Sequence, residues 1–160
     1  MRSDHPLRRS VQRLTPLFLR LALGITFLTA VGDRFGVWGP PGTRNVAWGN
    51  FVRFTQYTAL LNPWAPSAFV PVLAWTATAA EVVFGLALIV GLYTEGVALA
   101  AGVLLVLFAV GMTIGTGVHS ALNGSVFSAA AAAFALSVLG PGSWSLDAWW
   151  RERRRTQGAA

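Results

Sequence analysis

Six carboxylates occur in this chain of 160 residues, and only Glu81 stands deep inside a long apolar stretch. Burying such a group in hydrocarbon costs about 3 kcal/mol or more unless it is protonated or paired. Its chemistry is therefore that of a proton site, a ligand-facing anion or half of an ion pair. The direction in which helical side chains lean selects a partner. Arg34 stands near the outer end of a first apolar helix and leans inward, while Glu81 lies on a second helix of opposite direction and leans outward, so the two converge. Arg20, one turn inside the first helix, leans away toward the cytoplasmic surface and is the weaker partner. Thr26, Thr29, Thr113, Ser125 and Ser128 can add hydrogen bonds, depending on how the helices are rotated. Two readings stay open: a protonatable or ligand-facing carboxylate near the outer leaflet, or a buried ion pair that fixes helix packing. His119, in a short outer turn at about the level of Asp33 and Arg34, is an accessory candidate for metal or quinone contact, although a lone loop histidine is usually solvated. His5 belongs to a charged tail.

Other chemistry is excluded by what the chain lacks. With no cysteine there is no disulfide, thiol relay or thiolate-held cluster. No glycine-rich phosphate loop, histidine pair at haem or di-metal spacing, or Ser/His/Asp set occurs within the apolar segments. The expectation is no catalytic residue, no metal and no intrinsic cofactor.

The elements that must position Glu81 and Arg34 follow from composition. The chain is 54% hydrophobic and only 11% charged, with its apolar residues in blocks near the length a bilayer requires. These blocks predict spans at about 16–35, 69–92, 96–115 and 121–139. The first is capped by Thr15 with Pro16 at its opening position, and it stops before Gly39-Pro40-Pro41-Gly42. A cleaved leader ending near Thr29-Ala30-Val31 is the competing reading of that block, but it would leave three spans and send the arginine-rich tail outside. Between the first two spans, residues 36–68 form an outer loop. Within it 45–61 carries aromatic residues interrupted by Arg53 and Gln56, which predicts a short interfacial helix capped by Asn45 and ended by Asn62-Pro63. Residues 1–15 form a basic tail and 140–160 a tail rich in Trp and Arg, where Trp144, Trp149 and Trp150 make an interfacial belt.

The fold class is therefore all-α: a transmembrane four-helix bundle with an interfacial helix in the first outer loop. All twelve basic residues are arginine, and the net charge is +6. Nine of them lie at one side of this topology, in the two tails and at Arg20, while Arg34, Arg44 and Arg53 lie at the other. The positive-inside rule then puts both termini in the cytoplasm, and a nucleic-acid partner is not expected. Gly111 and Gly115 on the third span, and Ala129 and Ala133 on the fourth, have the spacing that lets helices approach closely. Contacts within the chain are favoured over a homo-oligomer face.

Two stretches resemble the DoxX family of small membrane proteins. Leu17-Phe-Leu-Arg-Leu-Ala-Leu-Gly24 followed by Val31-Gly-Asp-Arg-Phe-Gly36 is similar to the family's opening, with Arg34 where lysine is common. Ala80-Glu-Val-Val-Phe-Gly-Leu-Ala-Leu-Ile-Val-Gly-Leu-Tyr-Thr94 is similar to its second signature, placing Glu81, Gly85, Leu88 and Gly91 on motif positions; Glu95 departs from the arginine often found next. The likeness covers roughly residues 14–139 in the order helix, long outer loop, three helices. It implies a bacterial-type plasma-membrane subunit associated with quinone-linked oxidoreductases or with complexes handling thiol stress, in contact with partner subunits. It does not imply catalysis by this chain. A small transporter with an intramembrane carboxylate at a dimer interface, or a noncatalytic scaffold, are the alternatives.

Overall fold

The computed structural model describes residues 6–157, with side chains from Ser10 onward. Arg2 and His5, and the side chains of Arg8 and Arg9, belong to the predicted basic tail and lie outside the described residues. Seven helices and no strand occur among the described residues: α1 Pro6–Arg34, α2 Phe51–Leu61, α3 Val70–Val90, α4 Thr94–Thr116, α5 Val118–Asn123, α6 Val126–Leu139 and α7 Leu146–Gln157. Ser10–Arg34 within α1, all of α3 and all of α4 are long and apolar enough to cross a membrane. Phe18, Val83, Leu107 and Ile114 are exposed on their outer faces. Large apolar side chains turned outward along three such helices support a membrane protein, because hydrocarbon is a better solvent for them than water.

Several predicted boundaries move, each for a local reason. The first helix starts at Pro6, so Thr15 is no cap: its hydroxyl donates back to the Val11 carbonyl at 2.7 Å, and Pro16 sits inside the helix. The loop helix begins at Phe51. Its cap is Asn50, whose side chain accepts from the Arg53 amide at 2.9 Å, whereas Asn45 lies in a left-handed turn at φ 66°. The end at Asn62 is as expected.

The expected continuous helix over 121–139 is broken. Asn123-Gly124-Ser125 interrupts it, with Ser125 at φ 55°, leaving six-residue α5 and fourteen-residue α6. At about 1.5 Å per residue α6 spans only about 21 Å, short of a hydrocarbon core about 30 Å thick. The tail after Ser145 is helical as α7.

Packing divides the bundle into two close pairs, α1 with α3 and α4 with α6. A Cβ on Gly24 would stand 2.8 Å from the Gly85 carbonyl oxygen, and one on Gly102 would stand 2.6 Å from the Phe134 ring. Backbones approach this closely only where side chains are absent. The core joining the pairs contains Leu23, Phe27, Leu88, Leu105 and Leu136 with Ala98, Ala101, Ala130 and Ala133. Gly111 and Gly115 face the C-terminal end of α2, at Leu61 and Leu60, instead of another long helix. The small-residue spacing thus admits α2 over the bundle's end. An aromatic stack fixes that helix laterally, with Phe51 4.2 Å from Trp75 and 5.6 Å from Phe35 between ring centroids.

Candidate functional site

Arg34 is the last residue of α1 and Glu81 lies midway along α3, so the close antiparallel approach at Gly24 and Gly85 brings their side chains to one level. Both are almost fully buried, at 2% exposure each. One nitrogen, Arg34 Nη2, straddles the carboxylate: it donates to Oε1 at 2.7 Å and stands 2.6 Å from Oε2, which takes no directed hydrogen bond. Arg34 Nη1 donates to Thr78 Oγ1 at 2.8 Å, and that hydroxyl donates in turn to the Ala74 carbonyl. Arg34 Nε, equally buried, has no partner among the described residues. A low-dielectric site makes every unmet donor and acceptor costly, so these atoms are the least satisfied part of the pair.

The loop and α2 close over this pair. The guanidinium carbon lies 3.7 Å from the Phe54 ring centroid and 5.5 Å from that of Trp48, a cation held against aromatic faces. Asp33, buried beside Arg34, accepts the Trp48 amide with Oδ2 at 2.8 Å, while its Oδ1 is unpartnered. It anchors the loop and does not touch Glu81 in any contact shown. Gly49, next to Trp48, has φ 69°, and a Cβ there would lie 2.5 Å from the Pro41 nitrogen; only glycine fits this crossing of the loop on itself.

Beneath the pair runs a groove of about 960 Å³, mostly apolar, between the α1–α3 and α4–α6 pairs. Arg34, Glu81, Trp48, Tyr57 and Asn62 line its upper part, and Phe18, Leu19 and Ala22 line its far end on α1. From Phe18 to Arg34 the helix rises about 24 Å, enough to accommodate a long hydrocarbon chain.

Other candidates fall elsewhere. His119 is exposed on α5 and pairs with the Asn123 side chain at 2.9 Å. Thr113 bonds back to the Ala109 carbonyl within α4. Ser128 is exposed, Thr26 lines the groove, and the carbonyl of Thr29 accepts from the Trp38 indole. No group of three or more His, Cys, Asp or Glu positioned to hold a metal occurs among the described residues. Thr78 was missed in the sequence reading, although it stands three residues before Glu81 and hence on the same helical face.

The largest revision concerns Arg20. It does not reach a water surface: at 1% exposure it is the largest fully buried side chain among the described residues. Its Nε donates to Leu88 O at 2.9 Å, Nη2 to Ile89 O at 2.9 Å, and Nη1 to Pro141 O at 2.9 Å and Trp144 O at 2.6 Å. It caps the C-terminus of α3, where orphan carbonyls favour a cation, and ties it to the α6–α7 link. Gly91 permits this, since at φ 72° a Cβ would stand 2.6 Å from the Arg20 guanidinium carbon.

Comparison with family models, curated proteins and solved structures finds no match.

Proposed function

We propose that the chain is a DoxX-like subunit of a membrane oxidoreductase complex, noncatalytic by itself, in which Arg34 and Glu81 hold the head of a quinone-type amphiphile whose tail lies in the groove. In this reading the protein sits in a bacterial-type plasma membrane with both termini cytoplasmic. α1, α3 and α4 cross the bilayer, and the broken α5–α6 segment supplies a fourth, shorter crossing. The supporting observation is the buried Arg34–Glu81 ion pair, with Arg34 Nε unpartnered among the described residues, at one end of an apolar groove. The residues fit such a head group: the guanidinium can donate to a quinone carbonyl, and the carboxylate can accept from a quinol hydroxyl. Quinone would supply reversible two-electron, two-proton chemistry when bound. The chain's own residues orient the head, exclude water through Phe54 and Trp48, and offer a carboxylate near the exchanging protons.

Purification in mild detergent followed by lipid extraction tests this. The wild type should retain quinone and copurify with a redox enzyme, and Arg34→Gln should lose the quinone. Equal retention by both proteins overturns the reading.

A permeation role has one observation in its favour: Trp48 and Tyr57 line both the groove and a separate surface depression of about 660 Å³ that includes Arg53 and Gln56. Two side chains thus stand between the surface depression and the groove. Proton-driven flux in proteoliposomes, lost in Glu81→Gln, would favour this reading. Glu81 is buried within a single chain, so this reading keeps the carboxylate inside the bundle and not at a dimer interface. A scaffold role would instead leave every activity intact when Arg34 and Glu81 are both replaced by apolar residues.

A further inference from the structure

The last helix, α7, is fixed at its start and uncovered along its length. The Asp147 amide donates to the Gly91 carbonyl at 3.0 Å, and its carboxylate accepts the amides of Tyr93 and Thr94 at 2.8 Å each. Asp147 thereby caps α4 from a distant segment, supplying a negative charge at a helix N-terminus whose own cap position, Tyr93, has no side-chain bond. Trp150 meets Tyr93 at 6.4 Å between centroids, and Arg151 pairs with Glu95 at 3.0 Å. All these contacts are made to the turn joining α3 to α4, where two long apolar helices end. The height of α7 is therefore the height of the membrane surface.

At helical spacing Leu146, Trp149, Trp150, Arg153 and Gln157 share a face opposite Arg151 and Arg155. Leu146 and both tryptophans remain about two-fifths exposed, and every residue from Arg151 to Gln157 is exposed. Trp149 carries the Arg153 guanidinium 3.8 Å above its ring, a pairing that keeps a cation beside an aromatic at an interface. Arg153, Arg154 and Arg155 face Glu152 as the adjacent acid, while Asp147 and Arg151 are already engaged, so the free part of α7 is net positive. Charge and aromatic placement together match phosphate above acyl chain.

We propose that α7 is a clasp for anionic phospholipid: Leu146, Trp149 and Trp150 seat in the interfacial layer, and Arg153, Arg154 and Arg155 engage the phosphates of acidic headgroups. Juxtamembrane arginines gain about 1 kcal/mol each near an anionic leaflet, and aromatic residues prefer the headgroup level. A soluble acidic protein would satisfy the charges but would leave the tryptophans at membrane height without a role.

Because the chain has no cysteine, Gln157→Cys supplies a unique site for a spin label on the aromatic face. The full-length protein would be reconstituted in phosphatidylcholine vesicles, with and without phosphatidylglycerol. The readout is the accessibility of the label to oxygen relative to a neutral nickel chelate. That ratio should rise several-fold when phosphatidylglycerol is present. It should fall back at molar salt, where screening acts within about 3 Å. It should also stay low in the triple variant Arg153→Gln, Arg154→Gln, Arg155→Gln. An equal ratio in both lipids overturns the proposal, as does a rise that survives salt or the triple change, or one that needs an added acidic protein. The salt test uses no arginine variant, so it decides even if the triple variant folds poorly.

Discussion

Two arginines on one helix, fourteen residues apart, meet burial in opposite ways. Arg20 forms no ion pair among the described residues, although the Asp147 charge acts on it: its guanidinium spreads over four carbonyl oxygens and fastens the end of α3 to the α6–α7 link. Arg34 meets one carboxylate and one hydroxyl, lies against an aromatic ring, and keeps an unpartnered nitrogen beside a groove. The first arrangement is polar groups satisfying one another, which is how a fold is held. The second leaves polar atoms unmatched among the described residues, and it is the one to which the proposal assigns a ligand. A buried charge alone does not mark function; what it leaves unsatisfied is more informative.

The largest expected effect falls on the closed site. Arg20→Leu takes the side-chain donor from four carbonyls, of which Leu88 O keeps the Gly91 amide at 3.2 Å, so at about 1–3 kcal/mol for each group left unpaired stability should drop by about 3 kcal/mol or more. Arg20→Lys should recover only part of this, because an ammonium cannot span the same set of oxygens as a planar fork. Thermal unfolding in mild detergent measures both. A loss below about 1 kcal/mol for Arg20→Leu would remove the distinction between the two ends.

Next is the open site. Arg34→Gln and Glu81→Gln should each cost about 3 kcal/mol, since each leaves the other charge buried and alone. The double change should cost less than the sum. Strict additivity would mean that the pair carries no coupling. If the single changes abolish quinone retention at little cost in stability, the ligand-holding side of the contrast is strengthened.

Sequence made the open site legible and the closed one obscure, for a physical reason. Glu81 and Arg34 are opposite charges whose helical lean can be read from chain direction, so their meeting needs only an antiparallel α1–α3 pair. Arg20 binds backbone carbonyls of Leu88, Ile89, Pro141 and Trp144, and carbonyls are present at every residue, so nothing in residue types announces them. Gly91 was read as a residue inside the second span and Gly140-Pro141-Gly142 as the start of the tail, neither as a wall of a guanidinium site. Long apolar blocks gave α1, α3 and α4 almost to the residue at several ends. The alanine-rich block misled, because its mean hydropathy hides Asn123-Gly124-Ser125, three residues that favour turns.

A smaller effect tests the packing that serves both sites. A Cβ on Gly85 would lie 3.0 Å from Leu28 and 3.1 Å from the Gly24 carbonyl, so Gly85→Ala should separate α1 from α3 at a cost of about 1–3 kcal/mol. Quinone retention should fall with it if the Arg34–Glu81 geometry depends on that approach. Unchanged stability and retention would show that the helices are held at this level by other contacts.

The smallest change separates a cap from a surface ion pair at the Arg20 end. Asp147→Ala removes the acceptor of two backbone amides at the start of α4 and should cost about 1 kcal/mol, the usual loss when a capping side chain is truncated. Arg151→Gln breaks only an ion pair whose two side chains are more than half exposed, and solvent screening should hold its cost within a few tenths of a kcal/mol. The two residues lie one turn apart on α7, so a general loosening of that helix would affect both variants alike. Denaturant midpoints at low and high salt distinguish the cases. The Asp147 loss should persist in salt because its hydrogen bonds are short-range, whereas any Arg151 loss should vanish. Equal losses for the two variants would mean that α7 loosens as a whole and that the Asp147 hydrogen bonds do not act as a separate cap on α4.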